Sequence, residues 1–138
     1  MQFSKKPNDV TDPALASSQV LPLLQSLPSW GNLVTIVFSG GSVFEFKGPF
    51  PPGAMGEGYY NLEGPVPGLH GHLNVSRLAS VRFQDKPHRG RASYAFVFED
   101  EAGQAVFKVF LGRDDKGEIF TEQQARFEQI RSTLNVDS

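Results

Sequence analysis

The sequence predicts an α+β domain built on a mostly antiparallel β-sheet, with a helix towards each end of the chain. Three observations carry this expectation. Between residues 33 and 111, runs rich in β-branched and aromatic residues alternate apolar and polar positions, and turn residues separate the runs. Helical spacing of apolar residues occurs only near the two ends. The 14 Gly and 10 Pro suit many tight turns and short strands, not a helical bundle.

Taken in order, residues 1–11 are polar and without periodicity, and are expected to fray. Asp12-Pro13 has the pattern of an N-cap followed by proline at the first helical position. Leu15, Val20, Leu21, Leu23, Leu24 and Leu27 follow at roughly helical spacing, which predicts a helix over Ala14–Leu27 with a kink at Pro22. Pro28-Ser29-Trp30-Gly31 closes this unit. Leu33–Phe38, the turn Ser39-Gly40-Gly41 and Val43–Lys47 form a predicted hairpin, with Phe44 and Phe46 on one face.

Gly48–Gly58 is expected to be a loop, because its prolines and glycines suit neither a helix nor a central strand. Gly58–Val75 is expected to be irregular backbone with a short strand. Three further strands follow at Leu78–Gln84, Ser93–Glu99 and Gln104–Leu111, separated by a basic turn at 86–91 and by Asp100-Glu101-Ala102-Gly103. The last helix has Thr121 as its cap, Gln124 completing a capping box, and Phe120 placed to staple onto Ala125. Phe127, Ile130 and Leu134 make its buried stripe.

A length of 138 residues fits one domain over 1–138, and 12 Phe against 3 Tyr and 1 Trp point to a phenylalanine-rich core. A net charge of −2 argues against nucleic-acid binding, which rests on neutralising phosphates. No apolar run approaches the ~18 residues of a membrane helix, and no signal peptide opens the chain. The absence of cysteine excludes disulfides, thiolate catalysis, Cys-type zinc sites and iron–sulfur clusters. The expectation is a soluble cytoplasmic protein with no membrane insertion.

The chemistry-bearing residues concentrate around residue 70. Extended backbone over Leu69–Val75 puts His70, His72 and Asn74 on one face and Leu69, Leu73 and Val75 on the other. Neutral imidazole ligates transition metals and haem iron. One alternative is a cupin-like metal centre using both imidazoles. Such a centre needs a carboxylate a few residues on, where Ser76 and Arg77 stand, and a later histidine, for which only His88 is left. The other alternative is haem ligation by one of the pair. Two neighbours on one strand face cannot bind iron from opposite sides of a porphyrin, so a second ligand would come from elsewhere, with Met55 a candidate. Lys86, His88, Arg89 and Arg91 form a basic cluster suited either to a solvated turn or to carboxylates, haem propionates included.

Several runs, in order along the chain, resemble one known family. They are Trp30-Gly31-Asn32 with Val34-Thr35, Phe44-Glu45-Phe46-Lys47-Gly48, Gly58-Tyr59-Tyr60-Asn61-Leu62, Gly71-His72-Leu73, and Phe107 through Asp114 (FKVFLGRD). Together they resemble the ChuX/HutX/HuvX family of intracellular bacterial haem-utilisation proteins, which is similar to one half of the duplicated HemS/ChuS-type proteins. The resemblance implies an antiparallel sheet flanked by helices, a homodimer, and haem bound in the cytoplasm by a carrier or store, not an enzyme. It implies that His72 is the iron contact; His70, the other member of the H-x-H pair, is a candidate from the residue pattern. Where some members have a second haem histidine, this chain has Phe38. Haem degradation or a metal oxygenase, and a dimeric interaction module without haem, are the alternative functions. The haem donor and acceptor are not named by the sequence.

Overall fold

The computed structural model describes residues 12–64 and 68–135, in which a run of eight strands lies between two α-helices and a short strand precedes the first helix. The strands are β1 (Ala14–Ala16), β2 (Asn32–Ser39), β3 (Ser42–Pro49), β4 (Gly53–Gly56), β5 (Tyr59–Leu62), β6 (Gly71–Leu73), β7 (Ser80–Asp85), β8 (Tyr94–Glu99) and β9 (Ala105–Leu111). The helices are α1 (Val20–Ser26) and α2 (Thr121–Asn135). Six strands pair antiparallel in the order β1-β7-β8-β9-β2-β3, and β4-β5-β6 form a second, smaller sheet. This is the α+β architecture with terminal helices that the sequence predicts. The expected fraying of 1–11 lies outside the described residues.

Strand alternation gives the large sheet two different faces. On one, Leu33 and Thr35 of β2 lie opposite Leu111 and Val109 of β9, and Val109 lies opposite Phe96 of β8. These residues are buried with Val20, Leu23 and Leu24 of α1 and Phe127 of α2 in one hydrophobic core. Phe127 meets Phe83 at 5.2 Å and Phe96 at 5.0 Å between ring centroids, and Trp30 meets Phe96 edge-on at 5.5 Å. Such aromatic pairs add about 1 kcal/mol each beyond the area they bury. The other face carries Val34, Ile36, Phe110 and Lys108. There burial, and then the neighbouring charges of Arg82 and Lys86, lower the Lys108 pKa, while its ammonium donates to Gln84 at 3.0 Å.

Three expectations are corrected. The helix foreseen over Ala14–Leu27 begins only at Val20, because Ala14–Ala16 is the edge strand β1, with Leu15 opposite Val81. Asp12 pairs with Arg82 at 3.3 Å, and the Pro13 carbonyl accepts the Phe83 N–H. A 3₁₀ turn at Ser17–Gln19 joins β1 to α1, and another at Leu27–Trp30 ends the unit. Pro22 falls in the first turn of α1, where an N–H has no intrahelical acceptor, so no kink is required.

The loop expected over Gly48–Gly58 is partly strand. β3 continues to Pro49 on the sheet edge, and Gly53–Gly56 pairs with β5 as β4. Gly53 permits that pairing, since a Cβ there would lie 2.4 Å from the Asn61 carbonyl oxygen. At α2 the first helical hydrogen bond runs from the Gln124 N–H to Phe120 O, so the cap sits one residue earlier than expected. The Gln124 side chain donates to the Tyr94 hydroxyl at 3.3 Å instead of closing a capping box, and Ala125 is exposed.

The neighbouring Gln123 holds the fold together. It is only 2% exposed, and its Nε2 donates to Trp30 O at 2.9 Å and Asn32 O at 2.7 Å. Its Oε1 accepts the Gly112 N–H at 2.7 Å. At Gly112 the chains approach so closely that a Cβ would lie 2.1 Å from Asn32 O. Arg113 then donates to the Gly117 and Ala92 carbonyls, and the Asp114 carboxylate accepts the Lys116 and Glu118 N–H groups. The run Leu111-Gly112-Arg113-Asp114 is therefore accounted for by backbone closure.

Gln123→Leu keeps the volume but strands one buried N–H and two carbonyls. Each unsatisfied group costs about 1–3 kcal/mol, so a loss of about 3 kcal/mol or more is expected. A urea titration that left the unfolding midpoint unmoved would refute this role.

Candidate functional site

The small sheet carries His72 on its edge strand, with His70 just before it. Asn61 of β5 lies between Ala54 of β4 and His72 of β6 as register partners, and Tyr60 lies between Met55 and Leu73. Alternation therefore places His72 and Asn61 on one face and Met55, Tyr60 and Leu73 on the other. Tyr60 and Leu62 are buried and anchor the sheet to the core. Burial pushes the Tyr60 phenol pKa up, partly offset by a backbone hydrogen bond with Gly53, so this group remains neutral and packs as an apolar body.

His72 is exposed on β6, the edge strand. Its Nδ1 lies 2.6 Å from Asn61 Oδ1, and the Tyr59 ring stands at a steep angle to the imidazole with centroids 6.2 Å apart. Beside it opens a cleft of about 270 Å³ between the small sheet and the large one. Val37 and Phe107 from the large sheet, with Phe50, Leu62, Leu73 and Leu78, make its walls apolar. Thr35, Asn74, Arg77 and His72 are its polar lining. Phe44, opposite Val37 on β3, is 53% exposed and continues the apolar wall outward.

The structure separates the other residues singled out from the sequence. His70 precedes β6 and is exposed, and it does not line the cleft. Met55, half exposed, lies on the face of the small sheet opposite to His72, so the two do not converge as ligands of one iron. Phe38, 37% exposed, alternates onto the far face of the large sheet from Val37, with the Lys108 ammonium 6.0 Å from its ring centroid. Among the described residues no three His, Cys, Asp or Glu side chains gather as a metal-binding group, so a cupin-like donor set is not assembled there.

Arg89 and Arg91, the candidate propionate anchors, do not line this cleft. They occupy the β7–β8 turn beyond the Asp85–Tyr94 pair, whereas the cleft is lined by Val106 and Phe107 of β9, and Phe107 lies opposite Phe98 at the other end of β8. Four residues of strand, about 13 Å, separate the two ends. Arg89 is exposed with φ +54°, and Arg91 faces Glu118 at 3.6 Å. The basic side chain at the cleft is Arg77, in the 3₁₀ turn Val75–Arg77 directly after β6. Its signal in the sequence was position alone: it lies five residues beyond His72, on the same short segment.

Residues 14–130 match the model of a family described as haem utilisation ChuX/HutX. The intracellular heme transport protein HutX of Vibrio cholerae is 45% identical over 114 residues, which is 83% of this chain and 59% of that protein. Among solved structures, the heme-binding protein ChuX superposes with a TM-score of 0.83 at 26% identity, over 93% of this chain and 80% of that one. ChuS, a heme oxygenase of E. coli, shares the fold with a TM-score of 0.68 at 17% identity, over 90% of this chain but 37% of that one. The match thus spans about a third of that longer chain.

Proposed function

The chain belongs to the ChuX/HutX family of haem utilisation, and on that premise we propose that it binds haem in the cytoplasm as a cargo for transport or storage. The observation that carries this is an exposed imidazole, His72, at the mouth of an apolar cleft that also holds a guanidinium, Arg77. Each part suits one part of haem. Neutral imidazole is a ligand for the iron, Val37, Phe107 and Leu73 offer apolar surface to the macrocycle, and Arg77 matches a propionate with two parallel N–H donors. The name of the V. cholerae relative supports transport within the cell, although the chain spans only 59% of that protein. Among the described residues no helix is long and apolar enough to cross a membrane.

The cleft's dimensions favour carriage over conversion. At about 270 Å³ it lies just below the ~300–1,000 Å³ of pockets that enclose small molecules. Haem seated there stays partly exposed along Phe44, which eases hand-over to an acceptor. Oxygen chemistry at haem needs a protected distal side with donors that steer bound oxygen. Among the described residues, the cleft's polar lining holds no carboxylate to pair with His72 as acid and base.

We also infer that the single domain works as a homodimer through the far face of the large sheet. There Phe38 and Val43, register partners at the hairpin tip, are 37% and 60% exposed, beside half-buried Val34, Ile36 and Phe110. A second copy would cover this face by two-fold symmetry.

Haemin titration tests the site. His72→Ala should weaken binding about tenfold or more (about 1.4 kcal/mol) and move the Soret band. Arg77→Ala should weaken it several-fold without moving the band, and the double change Arg89→Ala with Arg91→Ala should do neither. A His72→Ala protein with wild-type spectrum and affinity would remove the iron contact. Incubated with oxygen, an electron donor and catalase, the complex should return its haem intact; steady formation of a biliverdin-like product would overturn the carrier role. Light scattering should give twice the 15.2 kDa of one chain, and a single-chain mass at micromolar concentration would exclude the dimer.

A further inference from the structure

We infer that Asn61 is a positioning residue that holds the His72 imidazole in its Nδ1–H tautomer and so presents Nε2 as the free donor atom of the cleft. The inference rests on the haem-binding role of His72 and specifies how the chain prepares that residue before any ligand arrives.

The orientation of the Asn61 amide is dictated by its surroundings. Its Nδ2 sits among three backbone carbonyls, Gly56 O at 3.2 Å, Ala54 O at 3.3 Å and Tyr59 O at 3.4 Å. Turning the amide over would aim Oδ1 at three carbonyl oxygens and lose every donor contact. Oδ1 therefore faces His72 Nδ1, at 2.6 Å. An amide oxygen only accepts, so Nδ1 must carry the proton. In the neutral ring the lone pair is then on Nε2, the atom left to bind a metal. The hydrogen bond on one ring nitrogen decides which nitrogen is available, and such outer partners also strengthen the ligand.

The backbone around Asn61 is shaped for this purpose. Glu57 and Gly58 take φ of +56° and +84°, the two positive values that a two-residue hairpin turn of the tightest kind requires. That turn brings the carbonyls of Gly56 and Tyr59 round to one side chain. Gly56 lacks the Cβ that would press to 3.2 Å from Nδ2. Cross-strand pairing of Asn61 with His72 completes the alignment, since directly opposed residues on one face approach most closely.

The first test uses the haem-free protein. Long-range ¹H–¹⁵N NMR of the histidine side chains should show His72 with its proton on Nδ1 at a pH where the ring is neutral, and Asn61→Ala should move it to the Nε2–H form. Haemin titration should then show Asn61→Ala weakened about 10–100-fold, the range for losing an outer partner of a metal-ligating histidine. Asn61→Asp separates positioning from hairpin scaffolding. It keeps an acceptor for Nδ1–H but loses the donors to the three carbonyls, so it should retain the tautomer and most of the affinity. A wild-type His72 carrying its proton on Nε2 would overturn the inference, as would equal losses in the Ala and Asp variants. Because the tautomer is read without haem, failure of the wild type to bind haemin would refute the haem role and leave the hydrogen-bond result standing on its own.

Discussion

The Gln123 carboxamide is the contact on which the remaining architecture depends. It joins the first turn of α2 to the start of β2 and the end of β9, elements separated by 91 and 11 residues of chain. Both strand ends are thereby held at one point, and Gly112 lets them close to a distance that no side chain would permit. With Leu33 opposite Leu111, every later pair on β2 and β9 follows. A slip by one residue would send Thr35 and Val37 to the far face and bring Val34 and Ile36 inward. The wall of the cleft, Val37 with Phe107, thus derives from a lock made at the opposite end of the same two strands.

The small sheet depends on a second polar side chain. Three strands of four, four and three residues would not hold together alone in water, and Tyr60 and Leu62 bury them against the large sheet. Asn61, between those two anchors, is held by their burial and points to the other side. It closes the hairpin turn with its amide nitrogen and engages His72 with its oxygen. One residue thus couples the local fold of β4–β5 to the orientation of the imidazole.

The resulting site is shallow, apolar along its walls and polar at the rim. This arrangement suits a ligand that is held by one axial bond, one charged contact and partial burial of a flat face. Deep enclosure would strengthen binding by removing more apolar surface from water, at about 25 cal/mol per Å², but it would also slow release. For the proposed carrier role, this compromise allows release as well as binding.

What the sequence determined by itself was whatever rests on local periodicity and local backbone freedom. Alternation marked β2, β3, β7, β8 and β9, the Gly40-Gly41 pair marked the hairpin, and Phe127, Ile130 and Leu134 marked α2. The motif around His72 was legible together with its family. Tertiary structure alone decided the rest, because each remaining point depends on a partner distant in the chain. Ala14–Ala16 has no strand signal of its own and becomes β1 because the edge of β7 offers hydrogen bonds and a place for Leu15. Gly53–Gly56 becomes β4 for the same reason against β5. Arg89 and Arg91 looked suited to anchor a ligand as a cluster, yet sheet register carries their turn to the far end, while Arg77, noted in the sequence only as standing where a metal centre would need a carboxylate, arrives at the cleft. Charge and residue type are local properties, but the distance between two loops is set by the strands between them.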